Sequence, residues 1–464
     1  MPKIKAAFLL CVVLALTVFL SGCIDLDFQN GELIHAPKAD AEHSAVQAVI
    51  DDVTGGNYIL KFPQSGEYKT AIIFKDMNND GQSEAVCFYS PNDPAAAAVN
   101  VLIIEQKDSN WQKAGVFTAT ATELNRVLFA DINGDGTAEI IAGYGALPQS
   151  ISKLAVYGFT ANGTTEFTLP NTDNIKNFEV AAFTGEKHSD IITLSVSATG
   201  EGYARLISWR SDTSSLGVLA QTPLQSGIAT FEQILCCELG TNTKGIIADA
   251  KTSDGSYITQ VLYFDYDENT FKNTLATNNT TLRSNPIFSM DTDGNGSYEI
   301  PVCTTFGFAE NEDKTKVGFL TAYCNYDINT DQLTPVLSGV ADATGAYFLN
   351  LPAKWNAQNV TMRINSNENT LLFYEWSTAQ RGNANTTANQ PAATTPAGLQ
   401  TTPSGKLLLK IRTFAPQEWA TTAADGYLQL AKNNSCIIGY SLPDTKSPLA
   451  VTEADLSGMF LDNK

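Results

Sequence analysis

Three nine-residue segments carry oxygen donors at alternate positions. They are Asp76, Asn78, Asp80, Gln82 and Glu84; Asp131, Asn133, Asp135, Thr137 and Glu139; and Asp291, Asp293, Asn295, Ser297 and Glu299. Each reads Asp-x-Asn/Asp-x-Asp/Asn-Gly-x-x-Glu. This pattern suits a hard cation. Ca²⁺ takes six to eight oxygens at about 2.3–2.6 Å. Side chains at positions 1, 3 and 5 of a tight loop turn toward one centre, and glycine at position 6 permits the backbone reversal. Position 7 offers its carbonyl, so Gln82, Thr137 and Ser297 enter through the main chain. The acid at position 9 closes the shell. An EF-hand begins the same way but needs an acid at position 12. Here position 12 is Cys87, Ala142 and Val302. A single copy would be an ordinary solvated Asx turn. Three copies in phase with a repeat point to about three Ca²⁺ sites.

The elements that must position these loops are strands. β-like runs precede each loop (Ile72–Phe74, Val127–Phe129, Ile287–Phe288) and others follow (Ala85–Phe88, Ile140–Ala142, Ile300–Val302). Two eroded copies lie between, at 181–195 and 236–250. The residues before the second strand are Glu84, Glu139, Asp190, Gly245 and Glu299, spaced by 55, 51, 55 and 54. The eroded loop at 182–190 keeps Glu186, His188 and Asp190, with His188 read as a solvated loop residue. Each period holds about four short strands joined by Gly, Asn and Asp turns. Four strands per unit of this length mark a propeller blade. The expected fold is therefore mainly β: a β-propeller of about 54-residue blades, six or seven in number, over residues 46–345. The repeat resembles the FG-GAP/VCBS family, which includes the integrin α-subunit propeller. That resemblance implies cation loops that mostly brace the blades.

The N-terminus sets the compartment. Lys3 and Lys5 precede a mostly apolar run from Ala6 to Leu20, shorter than the roughly 20 residues of a stable span. Then comes Leu20-Ser21-Gly22-Cys23, similar to the lipobox of bacterial lipoproteins. It implies a signal peptide at 1–22, a lipidated Cys23, and an extracytoplasmic protein anchored to the bacterial cell membrane. Residues 23–45 are expected to form a flexible tether.

Residues 346–464 read as a small α+β domain, similar to modules appended to lipoproteins of clostridial-type bacteria. Its strong strands, Thr370–Trp376 and Leu407–Phe414, flank a Thr/Ala/Asn/Pro-rich tract at 377–405. That composition cannot offset its ordering entropy, so the tract reads as a disordered insertion in a hairpin. Helices are expected near Pro416–Ala424 and over Thr452–Phe460, the latter capped by Thr452. Trp355, Trp376 and Trp419 are expected in the core beside the hairpin; the alternative is a sugar-stacking platform.

Composition narrows the function. The chain has 464 residues and a net charge of −20, which disfavours nucleic acid as a partner. It has three histidines, His35, His43 and His188, too few for a three-histidine zinc centre. No GxSxG, HExxH or P-loop motif occurs. Six cysteines lie beyond Cys23, with no CxxC; Cys303 and Cys324 flank an expected hairpin and are a candidate pair, against buried thiols. The expectation is a surface-anchored, non-enzymatic binding or scaffold protein for an extracellular polymer or envelope protein. An extracellular polysaccharide hydrolase or lyase is the alternative, and a small-molecule sensor subunit a second one. Replacing the acyl acceptor tests the anchor: Cys23→Ala should release the protein from the membrane fraction or block its processing. Unchanged membrane fractionation at unchanged mass would refute the lipoprotein reading.

Overall fold

The computed structural model describes residues 41–93, 95–145, 150–160, 163–170, 174–305, 319–342, 347–356, 359–365, 367–375, 406–421, 424–432, 435–443 and 446–462. The signal segment, Cys23, Trp376 and the tract 377–405 lie outside the described residues. Among the described residues, no helix is long and apolar enough to cross a membrane.

The chain divides into two units, Met1–Gly56 and Asn57–Lys464. The described part of the first is helix α1 (Ala41–Thr54), with Glu42 in its first turn and Val46 and Ile50 buried. The expected tether end at 41–45 is therefore helical. Three alanines in this segment favour the helix, and the acid near its N-terminus complements the dipole. The first strand begins at Tyr58, so residues 46–54 belong to the helix and not to a blade.

The second unit is mainly β, built of antiparallel sheets taken in chain order. The first sheet holds β1 (Tyr58–Leu60), β2 (Ile72–Lys75), β3 (Glu84–Pro91), β4 (Val99–Lys107) and β5 (Asn110–Ala119); β1 and β2 both pair with β3. The second holds β6 (Leu124–Ala130), β7 (Glu139–Tyr144), β8 (Lys153–Thr160) and β9 (Gly163–Phe167). The third holds β10 (Ile175–Ala181), β11 (Asp190–Val196), β12 (Gly202–Arg210) and β13 (Ser215–Pro223). The fourth holds β14 (Ile228–Gly240), β15 (Thr243–Thr252), β16 (Tyr257–Asp265) and β17 (Thr270–Asn273). The second strand of each is a nearly continuous apolar run, as burial on both faces requires: Glu139–Tyr144 and Asp190–Val196 are buried throughout.

The fifth sheet runs β18 (Ile300–Thr305), β19 (Phe319–Asp327), β20 (Gln332–Ala341), β21 (Tyr347–Asn350) and, from the C-terminus, β27 (Phe460–Asp462). The sixth comprises β22 (Val360–Asn365), β23 (Thr370–Glu375), β24 (Leu407–Phe414), β25 (Leu428–Lys432) and β26 (Ile437–Ser441). β20 pairs with β21, Gly339 opposite Asn350, so the division expected at 345/346 runs through one sheet. Residues beyond it form mostly strands, with two short helices: α2 (Pro416–Trp419) and α3 (Glu453–Met459). Thr452 caps α3 in a capping box with Asp455, as its sequence implies. β23 and β24 are paired across the 377–405 tract, Thr370 opposite Arg412.

Apolar side chains join each sheet to the next. Val86 and Phe88 pack with Val127 and Tyr157; Ile141 with Phe178 and Ile191; Phe183 and Ile192 with Phe231 and Ile246. Ile247 and Tyr263 then meet Ile300, and Val340 and Leu349 meet Phe373 and Leu409. Trp355 belongs to this last core, its Nε1 donating to Leu449 O at 2.7 Å. Cys303 lies opposite Thr321 and Cys324 opposite Ile300, so the candidate disulfide does not form: neighbouring strands place the two thiols out of register.

One polar group ties the fourth sheet to the segment that leads into the Asp291 loop. Arg283 and Asp249 are fully buried and paired at 2.8 Å. Arg283 also donates to Ile287 O, Thr259 Oγ1 and Thr281 O, while Asp249 Oδ2 accepts from Ser289 N at 2.7 Å. Ser289 lies two residues before the Asp291 loop, so the pair fixes where that loop begins. Removing one partner of such a pair leaves a buried charge uncompensated. Arg283→Met should cost about 3–5 kcal/mol in chemical denaturation; a loss below 1 kcal/mol would show that Asp249 finds another partner.

Candidate metal centres

The strand register gives all the loops one frame. Lys75 pairs with Glu84, Ala130 with Glu139, Ala181 with Asp190, and Met290 with Glu299. The loop returns each time after the same span, through an acid at or beside the head of a strand. In the fourth sheet Gly240 pairs with Thr243, and Thr241-Asn242 close a tight turn with Asn242 at φ 58°. The loop there has contracted, which is why its sequence holds no ligand set.

The ninth-position acids are buried: Glu84 is 3% exposed, and Glu139, Asp190 and Glu299 are 0%. One oxygen of each caps its own loop. Met77 N donates to Glu84 Oε2 at 2.9 Å, Ile132 N to Glu139 Oε2 at 2.7 Å, and Thr292 N to Glu299 Oε2 at 2.7 Å. The first-position aspartates gather main-chain amides. Asp76 accepts from Asp80 N and Gly81 N, Asp131 from Gly134 N and Gly136 N, and Asp291 from Gly294 N, Asn295 N and Gly296 N. Gly136 and Gly296 sit at φ 88° and 86°, where a side chain would be strained. At position 7, the N–H groups of Gln82, Thr137 and Ser297 donate to the side-chain oxygens of Asp80, Asp135 and Asn295.

The second oxygen of the ninth acid separates the three loops. Asn78 Nδ2 reaches toward Asp80 Oδ2 and Glu84 Oε1, at 3.1 and 3.5 Å. Asn133 Nδ2 bridges Asp135 Oδ2 and Glu139 Oε1, at 3.1 and 3.0 Å. In the fifth sheet position 3 is Asp293, which has no amide to offer. Glu299 Oε1 is buried there without a hydrogen-bond partner. Ligand atoms of Asp291, Asp293 and Glu299 lie within 4.8 Å of one another, the one such cluster among the described residues. These oxygens fit a divalent ion, and no metal chemistry beyond oxygen coordination is implied by them.

Charge crowding appears in the acids themselves. Burial pushes the Glu139 carboxyl up to about 7, with Asp135 and Asp131 adding to the rise against the Ile132 amide. Glu84 moves the same way, burial first, with Asp80 and Asp76 adding. Asp291 is held below the usual range, chiefly by the Gly296 amide.

Contacts between loops carry no motif in the sequence. Ala138 N donates to Met77 O at 2.7 Å, Asn79 Nδ2 to Gly136 O at 2.9 Å, and Ser189 N to Asp131 O at 2.7 Å. The first three loops therefore lie side by side.

No protein-family model and no curated protein matches the chain. Among solved structures, the exotype rhamnogalacturonan lyase YesX is similar at a TM-score of 0.27 and 10% identity, over 68% of this chain and 72% of that one. At that level neither fold detail nor activity transfers.

Glu139 supplies a pH prediction for the chelator-treated protein. Its folded-state pKa lies above the ordinary 4.5, so the folded state holds the extra proton between about 4.5 and 7. Its contribution is present at low pH and lost as pH rises through that window. Glu139→Gln cannot ionise and keeps an acceptor for Ile132. The variant should gain on wild type as pH rises from about 4.5 to 7, by on the order of 3 kcal/mol at most, in denaturant melts. A difference independent of pH would contradict the assignment.

Proposed function

We propose that this protein is a lipid-anchored, calcium-braced β-propeller that binds an extracellular polymer or envelope protein without transforming it. The six stacked sheets serve as blades, and Cys23 is the anchor. Glu299 Oε1 carries the calcium reading: a buried carboxylate oxygen with no donor, beside two further aspartates, asks for a cation. Asp76, Asp80 and Glu84, and Asp131, Asp135 and Glu139, offer the same donor set in the same frame. There Asn78 and Asn133 would turn their amide oxygens to the ion.

The cleft lined by Gln225, Thr252, Asp254, Asn279 and Leu282 is about 210 Å³, with Asp254 its one ionisable side chain. Catalytic and cofactor pockets commonly run from roughly 300 Å³ upward.

Calorimetric titration should find about three calcium sites, and chelation should lower the melting temperature. Each site contributes about 2.7 kcal/mol at a hundredfold excess over Kd. Asp131→Ala and Asp291→Ala should each remove one equivalent. Unchanged stability and metal content in chelator would refute the reading. The mature protein, screened against glycans and cell-wall fragments, should retain a ligand without releasing product. Product release would instead establish a hydrolase or lyase.

A further inference from the structure

The loop of the third sheet keeps the frame of the cation loops but changes the donors. Ala181 pairs with Asp190 across the same span that joins Lys75 to Glu84. Counting along it, Ala182 replaces the first aspartate, and Glu186, His188 and Asp190 stand where the first loop has Asp80, Gln82 and Glu84. Oxygen donors fall in number and an imidazole enters.

Two atoms of this loop are buried without hydrogen-bond partners. Asp190 is 0% exposed; its Oδ2 accepts from Thr184 N and Thr184 Oγ1, both at 2.8 Å, while its Oδ1 has no hydrogen-bond partner. His188 Nδ1 is buried without a hydrogen-bond partner as well, and lies 3.7 Å from that Oδ1. The separation is too long for a hydrogen bond. An ion about 2.1 Å from each atom spans it at an angle of about 120°. The second loop lies alongside: a Cβ on Gly134 would sit 3.7 Å from His188 Cβ, and Ser189 N is bonded to Asp131 O.

We propose that this loop binds a borderline divalent metal of the zinc class through His188 Nδ1 and Asp190 Oδ1, with water completing the shell. Imidazole with carboxylate selects such ions, whereas calcium prefers an all-oxygen set. The site stands on its own geometry and does not require calcium in the neighbouring loops.

The test is a zinc titration of the full-length reduced protein, run in excess calcium and again without it. One equivalent of Zn²⁺ should bind in both. His188→Gln should weaken it by on the order of tenfold or more, and Asp190→Asn likewise, with both variants keeping wild-type calcium content in the same preparation. Replacing His35, His43, Cys236 and Cys237 together should leave zinc affinity unchanged. Co²⁺ as a spectroscopic stand-in should give visible d–d bands without a thiolate charge-transfer band. The proposal falls if no stoichiometric zinc binds, if His188→Gln binds zinc as wild type does, or if the thiolate band appears. Because calcium binding is read in the same samples, its failure is scored separately.

Discussion

Four loops return to their sheets through a carboxylate buried at the head of a strand. The arrangement of the molecule around those loops follows from that constraint. A buried charge is tolerated only when hydrogen-bonded and compensated. Glu84, Glu139, Asp190 and Glu299 each spend one oxygen on a main-chain amide of their own loop, which fixes the backbone. The other oxygen must find a counter-group. An asparagine amide fills that role beside Glu84 and Glu139, while Glu299 and Asp190 are left facing other potential ligands. The difference at position 3, Asn against Asp, thus separates the loops whose ninth acid meets an amide on its second oxygen from the one where that oxygen has no hydrogen-bond partner.

The same junctions tie local chemistry to architecture. A strand that opens on a buried acid continues as an apolar run, and that run packs between two sheets. Hydrogen bonds from one loop to the next then lie over the inter-sheet cores. At the fourth sheet the loop is gone, and a different device takes over. The Asp249–Arg283 pair reaches Ser289 and so sets the start of the Asp291 loop. A lost cation loop and a gained buried ion pair occupy neighbouring places in the same stack.

Much of the frame was legible because glycine, Asx residues and a terminal acid recur at fixed spacing, and because strand composition alternates with turn chemistry. The loops at 76–84, 131–139 and 291–299 and the four-stranded sheets follow from that pattern. The sixth sheet was harder to see. Its strands at 360–441 are interrupted by a long polar tract and the short helix α2, so no period survives. Pairing of β21 with β27 is likewise invisible locally, since it joins residues as far apart in the chain as Leu349 and Phe460. Helix at 41–45 was masked by neighbouring Asp, Gly and Pro residues that suggest a tether. Asp190 was read as a remnant because its loop lacks the first aspartate. Only the register and the two unpartnered atoms single out His188 beside it.

The central claim is that a cation neutralises the buried ninth-position acid, and the fifth-sheet loop is its sharpest instance. The most direct measurement is a high-resolution crystal structure of the calcium-saturated protein with anomalous scattering recorded at that loop. The account predicts an ion about 2.3–2.6 Å from Glu299 Oε1, shared with Asp291 and Asp293. Ordered water or a side-chain donor on Glu299 Oε1, with no anomalous peak in calcium excess, would contradict it.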